Sequence, residues 1–331
     1  MKHIIFGGDG FVGRYLARDL QTLGEEVVIC DIRQSELPIY PRAQFVHTDI
    51  TDLPSLEQAP VGAHDIVYNM AARMLHPIVS RRERKAYFFS VDYQGAANVI
   101  DLMGRRECNK LIQFSTDMVY GFPLVAPPIR PDHPRNPIGE YADSKRVCEN
   151  LCMQRRVDGL DVSIFRPRLI IGPGRLGILT NLFRCIEHHL PVPLIGDGSN
   201  RYQMVSVFDC ASAALLSAQK GVVNGEFNLG SKNPPSVREL LGKVIEAAGS
   251  RSFLVSTPAG LVKRVLAVLD VIGLSLLVPE QYEIADTDFI VDIESTERKL
   301  GWVPQYDDAT MLMDAYREYQ AGSRNLMVEA H

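Results

Sequence analysis

Residues 139–151 read GEYADSKRVCENL and place Tyr141 and Lys145 four apart, where a helix should begin. Four residues is about one helical turn, so the two side chains stack on one face. A phenol of pKa about 10 is a poor base at neutral pH until a cation lowers it. A lysine one turn away supplies that charge. The pair could then move a proton at an alcohol oxygen while hydride leaves or reaches the carbon. The same spacing also suits two large side chains on an ordinary amphipathic helix. Tyr-x-x-x-Lys alone does not separate the two readings.

A second candidate lies at the start of the chain. IIFGGDGFVGRYLARDL sets Gly7, Gly10 and Gly13 between an expected strand and an expected helix, and Gly8 also completes Gly-x-Gly-x-x-Gly. Glycines there let the backbone turn tightly and approach a pyrophosphate, whose charge sits at the helix N-terminus. Asp31 follows 18 residues after Gly13, at the end of the next expected strand. An acid there can accept from the adenosine ribose 2′-hydroxyl and repel a 2′-phosphate, which favours NAD over NADP. Arg33 is the competing signal, because a guanidinium can receive a phosphate. Phe11, Val12, Ile32, Asp49, Ile50, Ala71 and Ala72 complete the expected cofactor contacts, with Asp49 near the adenine.

These residues need a scaffold, and the pattern supplies one. HIIFGG, EVVICD, AQFVHTDI, DIVYNMAA, KLIQFST and VSIFRPRLII read as strands. Helical patterns fall at 11–23, within 84–103 and from about 140 to 157. Strands alternating with helices imply right-handed crossovers and a parallel sheet covered on both faces. The predicted fold is therefore α/β, a Rossmann-type doubly wound sheet. Residues 1–168 form the dinucleotide-binding domain, joined by a returning segment near 204–220. Residues 169–331 mostly form a smaller α+β substrate domain, since proline and glycine are denser after GPGRLG.

The totals exclude other classes. The 331 residues carry a net charge of −5, with 46% hydrophobic and 23% charged residues. That composition is ordinary for a globular chain and gives no footprint for nucleic acid. The basic run SRRERK, 80–85, reads as a solvated helix face. The six cysteines lack any Cys-x-x-Cys pair and suit reduced thiols in a cytoplasmic protein, with Cys148 and Cys152 facing a core. Adjacent His188 and His189 are badly spaced for a metal, and no metal site is expected. No signal peptide is expected, because only three apolar residues precede the first glycines. The apolar stretch AGLVKRVLAVLDVIGLSLLV, 259–278, is interrupted by Lys263, Arg264 and Asp270, so a membrane span is not expected. A helix lining an apolar pocket is the main expectation there, and rest on a membrane surface the alternative.

The ordered set GGDGFVG, Asp31, TDITD, NMAA (69–72), STDMVYG (115–121), YADSK (141–145), RPRLIIGPG (166–174), GDGSNRYQMVSVFD (196–209) and LGWVP (300–304) resembles the extended short-chain dehydrogenase/reductases. This superfamily contains the nucleotide-sugar epimerases, dehydratases and reductases. The resemblance implies that Tyr141 and Lys145 are a catalytic couple and that Lys145 also reaches the nicotinamide ribose. Thr116 matches the serine or threonine that hydrogen-bonds the substrate oxygen, with Ser115 as the adjacent fallback. Arg201 falls where the family sets an arginine against the nucleotide diphosphate. The resemblance further implies NAD, a nucleotide-sugar substrate oxidised or reduced at C4, and a homodimer built on helices 84–103 and 140–157.

Four departures qualify it. Leu169 replaces an asparagine that touches the diphosphate in many members, which opens hydroxysteroid or small-ketone chemistry as an alternative. Asn69 replaces a frequent histidine, and Asp92 a usual asparagine beside the site. The 4,6-dehydratases carry TDEVYG, in which the aspartate protonates the leaving 6-hydroxyl and the glutamate takes the C5 proton. Here Asp117 is followed by Met118, and a thioether cannot be that base. Asp117 is then expected to hydrogen-bond or to position the loop near the substrate, and no 4,6-dehydratase activity is expected. A non-catalytic NAD-binding regulator is the last alternative, against which an intact Thr116, Tyr141 and Lys145 argues.

Overall fold

The computed structural model describes residues 1–36, 38–75, 79–174, 177 and 179–328, with side chains through Ala321. Arg175 and Leu176 of GPGRLG lie outside the described residues. The chain opens with β1 (Lys2–Phe6), α1 (Gly13–Thr22), β2 (Glu26–Asp31), β3 (Gln44–His47), α2 (Leu53–Leu56) and β4 (Ile66–Asn69). Next come α3 (Arg84–Phe88), a π-helical stretch Phe89–Gly95, α4 (Ala96–Arg105) and β5 (Lys110–Phe114). A 3₁₀ turn (Asp117–Tyr120), α5 (Glu140–Val157) and β6 (Asp161–Pro167) follow. Then the chain runs β7 (Leu169–Ile171), α6 (Leu179–Glu187), β8 (Val192–Ile195), β9 (Met204–Ser206), α7 (Val207–Gln219) and β10 (Gly225–Leu229). It ends with α8 (Val237–Ala247), β11 (Leu254–Thr257), α9 (Ala259–Val271), α10 (Pro279–Tyr282), α11 (Glu294–Leu300) and α12 (Asp308–Val328).

Seven strands form one parallel sheet in the order β10-β6-β5-β4-β1-β2-β3. The order reverses at β1, so the glycine turn leaves the sheet where a crevice opens at the strands' carboxyl ends. The fold is the Rossmann-type doubly wound sheet. Its strands are apolar on both sides because both faces are covered. Leu16, Leu20, Ile5, Ile29, Phe165 and Phe227 fill one face, and Ile4, Phe6, Val99, Leu102, Cys148 and Cys152 the other. Burying each such Leu, Ile or Phe side chain contributes roughly 1.5–3 kcal/mol. A third core joins Phe183, Leu194, Leu240, Val244, Leu312 and Tyr316.

Three findings refine the sequence reading. VSIFRPRLII is two strands. β6 ends at Pro167, which has no amide to donate, and β7 pairs with β9 in a separate two-stranded sheet. Between them the Arg168 amide donates to the Leu229 carbonyl, 2.9 Å, and its side chain turns into the interior. The segment after β9 runs further into the main sheet than 204–220. α7 lies on α1, with Phe208 edge-on to Tyr15, and β10 closes the sheet beside β6. The third concerns 259–278. Of α9 only Leu266 and Asp270 are buried, and Leu261, Val265, Val268 and Val271 face solvent.

Candidate active site

The glycine turn is held by backbone. Gly7 has φ +73°, and a Cβ on it would stand 2.5 Å from the Ala71 amide nitrogen. A Cβ on Gly13 would stand 2.5 Å from the Gly7 carbonyl oxygen. Neither position tolerates a side chain, which is why β1, the turn and the end of β4 pack so closely. α1 begins at Gly13 with no side chain capping its first amides and no acid in its first turn. Those amide groups and the positive end of the helix fit an anion such as a pyrophosphate.

Asp31 ends β2 facing this turn. Its carboxylate accepts from the Asp9 amide at 3.0 Å and the Arg33 amide at 3.4 Å. Burial raises its pKa and these amide bonds work against the rise. Arg33 and Ile32 are exposed beside it. Asp9 is a residue the sequence reading passed over. Its buried carboxylate accepts from the Ser35 amide (2.6 Å), the Ser35 hydroxyl (2.8 Å) and the Tyr40 hydroxyl (2.5 Å), tying down the loop after β2. The signal was an acid inside GGDG, where a glycine motif asks only for backbone.

The other expected cofactor residues divide into two groups. Phe11 approaches Gly172, Ala71 backs Gly7, and Ala72 is exposed at the end of β4. Asp49 accepts from the Thr51 amide at 2.8 Å and hydroxyl at 2.7 Å. Burial opposes its ionisation, but those two bonds outweigh it and its pKa falls. Val12 and Ile50 are core side chains: Ile50 packs on Gly95, and its carbonyl accepts from Asn98 at 2.9 Å.

The second half of the site is carried by α5. Its N-terminus has no side-chain cap of its own, and Gly139 leaves room for Glu280, 139 residues beyond Tyr141. The Glu280 carboxylate accepts from the Tyr141 amide at 3.3 Å, a negative charge at a positive helix end. Nothing local in the sequence announces that contact. Tyr141 is half-buried, with Phe88 edge-on at 5.4 Å.

One turn on, Lys145 is buried. Its ammonium lies 3.2 Å from Asp92 Oδ1 and donates to the Phe114 carbonyl at 3.5 Å. Burial alone would lower the Lys145 pKa, but the Asp92 charge, then Tyr141, reverse it and the net shift is upward. Asp92 stands in the π-helical stretch and also accepts from the Arg73 amide at 3.0 Å. Such stretches recur at functional sites. Burial raises the Asp92 carboxyl above its usual range against the pull of Lys145.

The Phe114 carbonyl joins α5 to the end of β5, and Ser115 and Thr116 come next. Both are buried. Thr116 caps the 3₁₀ turn, its Oγ1 accepting from the Met118 amide at 3.3 Å, while Ser115 Oγ has no hydrogen-bond partner among the described residues. Thr116, Lys145 and Asp92 are thus gathered around one strand end, with Tyr141 a turn away.

The expected substrate residues are scattered. Asp117 is buried and ion-paired to Arg168, whose guanidinium lies between the Tyr202 and Phe289 rings, 4.5 and 4.3 Å from their centroids. Met118 is half-buried in the same turn. Arg201 is exposed, pairs with Asp288 through Nη2 at 2.5 Å, and lines an open cleft of about 500 Å³ with Ser199, Ser236 and Arg238. Leu169 packs against the third core.

Known proteins resemble this chain in sequence and in fold. Residues 3–230 match the model of the NAD dependent epimerase/dehydratase family. The chain is 31% identical over 327 residues to protein y4nG of Sinorhizobium fredii, covering 98% of this chain and 80% of that one. It is 26% identical to a putative UDP-glucose 4-epimerase of Methanocaldococcus jannaschii, over 75% of this chain and 83% of the relative. A UDP-glucose-4-epimerase of Stenotrophomonas maltophila, solved with NAD and formylated UDP-arabinopyranose, superposes with a TM-score of 0.78 at 21% identity. That likeness covers 98% of this chain and 99% of that structure. The chain belongs to the NAD-dependent epimerase/dehydratase family, and its cofactor is NAD.

Proposed function

We propose that this protein transfers hydride at C4 of a nucleotide-linked sugar, as an epimerase that oxidises the hydroxyl and returns hydride to the keto sugar, or as a reductase that carries hydride from NADH to a keto sugar. The observation that carries the reading is the buried Lys145 cation, fixed between Asp92 and the Phe114 carbonyl one turn from Tyr141. NAD supplies the hydride acceptor and donor. Tyr141 takes the proton from the substrate hydroxyl as hydride departs and gives it back on return. Lys145 stabilises the phenolate form of Tyr141, and Thr116 holds the same substrate oxygen. Relatives named for UDP-sugars support the nucleotide-sugar class. Arg201 is the proposed diphosphate contact, exchanging Asp288 for phosphate oxygens.

Dehydration at C6 is not part of this reading. Met118 cannot remove a C5 proton, and the Asp117 carboxylate is engaged by Arg168. We further propose a homodimer through α3–α4 and α5, tested by light scattering, where a clean monomer mass would overturn it.

The test is a panel of UDP-, GDP-, CDP- and dTDP-sugars incubated with the enzyme and NAD, and of their keto sugars with NADH, with product mass and configuration followed. An isomer, or a product differing by two hydrogens, is expected. Loss of water from the sugar would overturn the exclusion of dehydration. A stabilising response to steroids but to none of the nucleotide sugars would overturn the substrate class.

A further inference from the structure

The apolar run at 259–278 serves none of the chemistry above. On α9, Leu261, Val265, Val268 and Ile272 follow the spacing i, i+4, i+7, i+11 and form one outward stripe. Val268 and Ile272 are 60% and 61% exposed, and Leu274 and Leu276 continue the surface at 62% and 67%. Isolated apolar side chains on a surface need no explanation, but a contiguous stripe does.

Cations border this stripe. Arg84 reaches across to α9, donating to Asp270 Oδ2 at 2.9 Å and to the Ser275 hydroxyl at 3.2 Å. The basic run is thereby fixed against the segment that presents Leu274 and Leu276. Hydrogen bonds from Arg84 and, less strongly, the charge of Arg81 hold the Asp270 carboxyl below its usual range. Arg81, Arg82 and Lys85 are exposed there, and Arg264 is exposed on α9 itself. Glu83 is the acid of the run and accepts from the Ser80 hydroxyl at 2.6 Å. Lys263 turns away to Asp286 at 2.5 Å and to the Glu283 carbonyl. In a chain of net charge −5, Arg264 adjoins the stripe on α9, and the exposed Arg81 and Arg82 are tied to its C-terminal end through Arg84.

We infer that this face docks on the surface of an anionic lipid bilayer, with Leu261, Val265, Val268, Ile272, Leu274 and Leu276 in the interfacial layer and Arg81, Arg82 and Arg264 at the headgroups. An apolar helix face flanked by basic residues gains from both acyl contact and the negative surface potential. A second copy is a poorer occupant, because a two-fold contact would bring the arginines of both copies together. No described helix is long and apolar enough to cross a membrane, so the helix lies on the surface. The inference does not depend on the reaction proposed above.

Vesicle flotation of the full chain tests it. Co-flotation with phosphatidylcholine–phosphatidylglycerol vesicles is expected, weakening with salt, and little with phosphatidylcholine alone. Val268→Asp/Ile272→Asp should lower binding at least ten-fold. Arg81→Gln/Arg82→Gln should lower it by roughly five-fold per charge removed. Both variants should keep the wild-type melting temperature and NAD affinity. If the aspartates disturb folding, Leu274→Ser/Leu276→Ser, outside the helix, replaces them. Wild-type protein that stays unbound to anionic vesicles, or variants that bind as well as wild type, would overturn the inference. So would a dimer that dissociates on Val268→Asp/Ile272→Asp without any vesicle binding, which would assign the face to a contact between copies.

Discussion

Lys145–Asp92 and Arg201–Asp288 are the same kind of ion pair in opposite surroundings. The first has both side chains almost fully buried, at 3.2 Å, and the second is open to solvent at 2.5 Å. Asp288 is held below the usual carboxylate range, first by the hydrogen bonds of Arg201. Asp92 is pushed above it, because burial outweighs the nearby ammonium. The shorter contact is the one in the wetter setting. Distance does not rank two ion pairs when one is dry and the other wet, since desolvation and screening set what each is worth. The buried pair fixes one charge in one place, as the proposed catalytic couple requires. The exposed pair leaves Arg201 free to exchange partners, as a ligand contact requires.

The comparison breaks most sharply at Asp92. Asp92→Leu strands a buried ammonium and should cost about 3–5 kcal/mol in urea unfolding. A loss below about 1 kcal/mol would mean that solvent reaches Lys145 and that the pair is not the dry one described. Next is Tyr141, the group the pair is proposed to serve. Tyr141→Phe should reduce turnover on the order of 100-fold or more and leave NAD affinity intact, because only the proton-transfer oxygen is removed. Near-normal turnover would remove Tyr141 from the reaction.

At the exposed pair, Arg201→Ala should change stability by less than about 1 kcal/mol. Its effect should instead fall on KM for the nucleotide sugar more than on kcat, separating a binding role from a structural one. A large stability loss with unchanged KM would reverse the contrast.

The mildest test uses two further buried carboxylates, held chiefly by amide and hydroxyl donors. Burial pushes Asp209 and Asp308 up to about 6, against bonds from the Gln305 and Tyr306 amides in one case and from Ser231 and the Met204 amide in the other. Both folded values lie above the unfolded carboxylate value of about 3.9. Between about pH 4 and 6 the folded state therefore binds more protons, and its stability should fall as pH rises through that window. Asp209→Asn/Asp308→Asn should flatten the decline in thermal melts. An unchanged profile would mean that other groups set it.

What could be read without coordinates was what depends on neighbours along the chain. The glycines of the first turn, Asp31 at a strand end, and Tyr141 one turn before Lys145 are local spacings, and local spacing fixes local geometry. The alternation of apolar runs with helical patterns likewise fixed a parallel sheet covered on both faces. Tertiary structure decided the rest, because those contacts join residues far apart in the chain. Glu280 reaches the amide of Tyr141 from a distant segment, Arg168 closes on Asp117, Asp92 meets Lys145 from a π-helical stretch, and Arg84 clamps Asp270. Whether the apolar residues of 259–278 face a core or water was open for the same reason. Helical periodicity states which residues share a face, and only the packing of the whole chain states what that face meets.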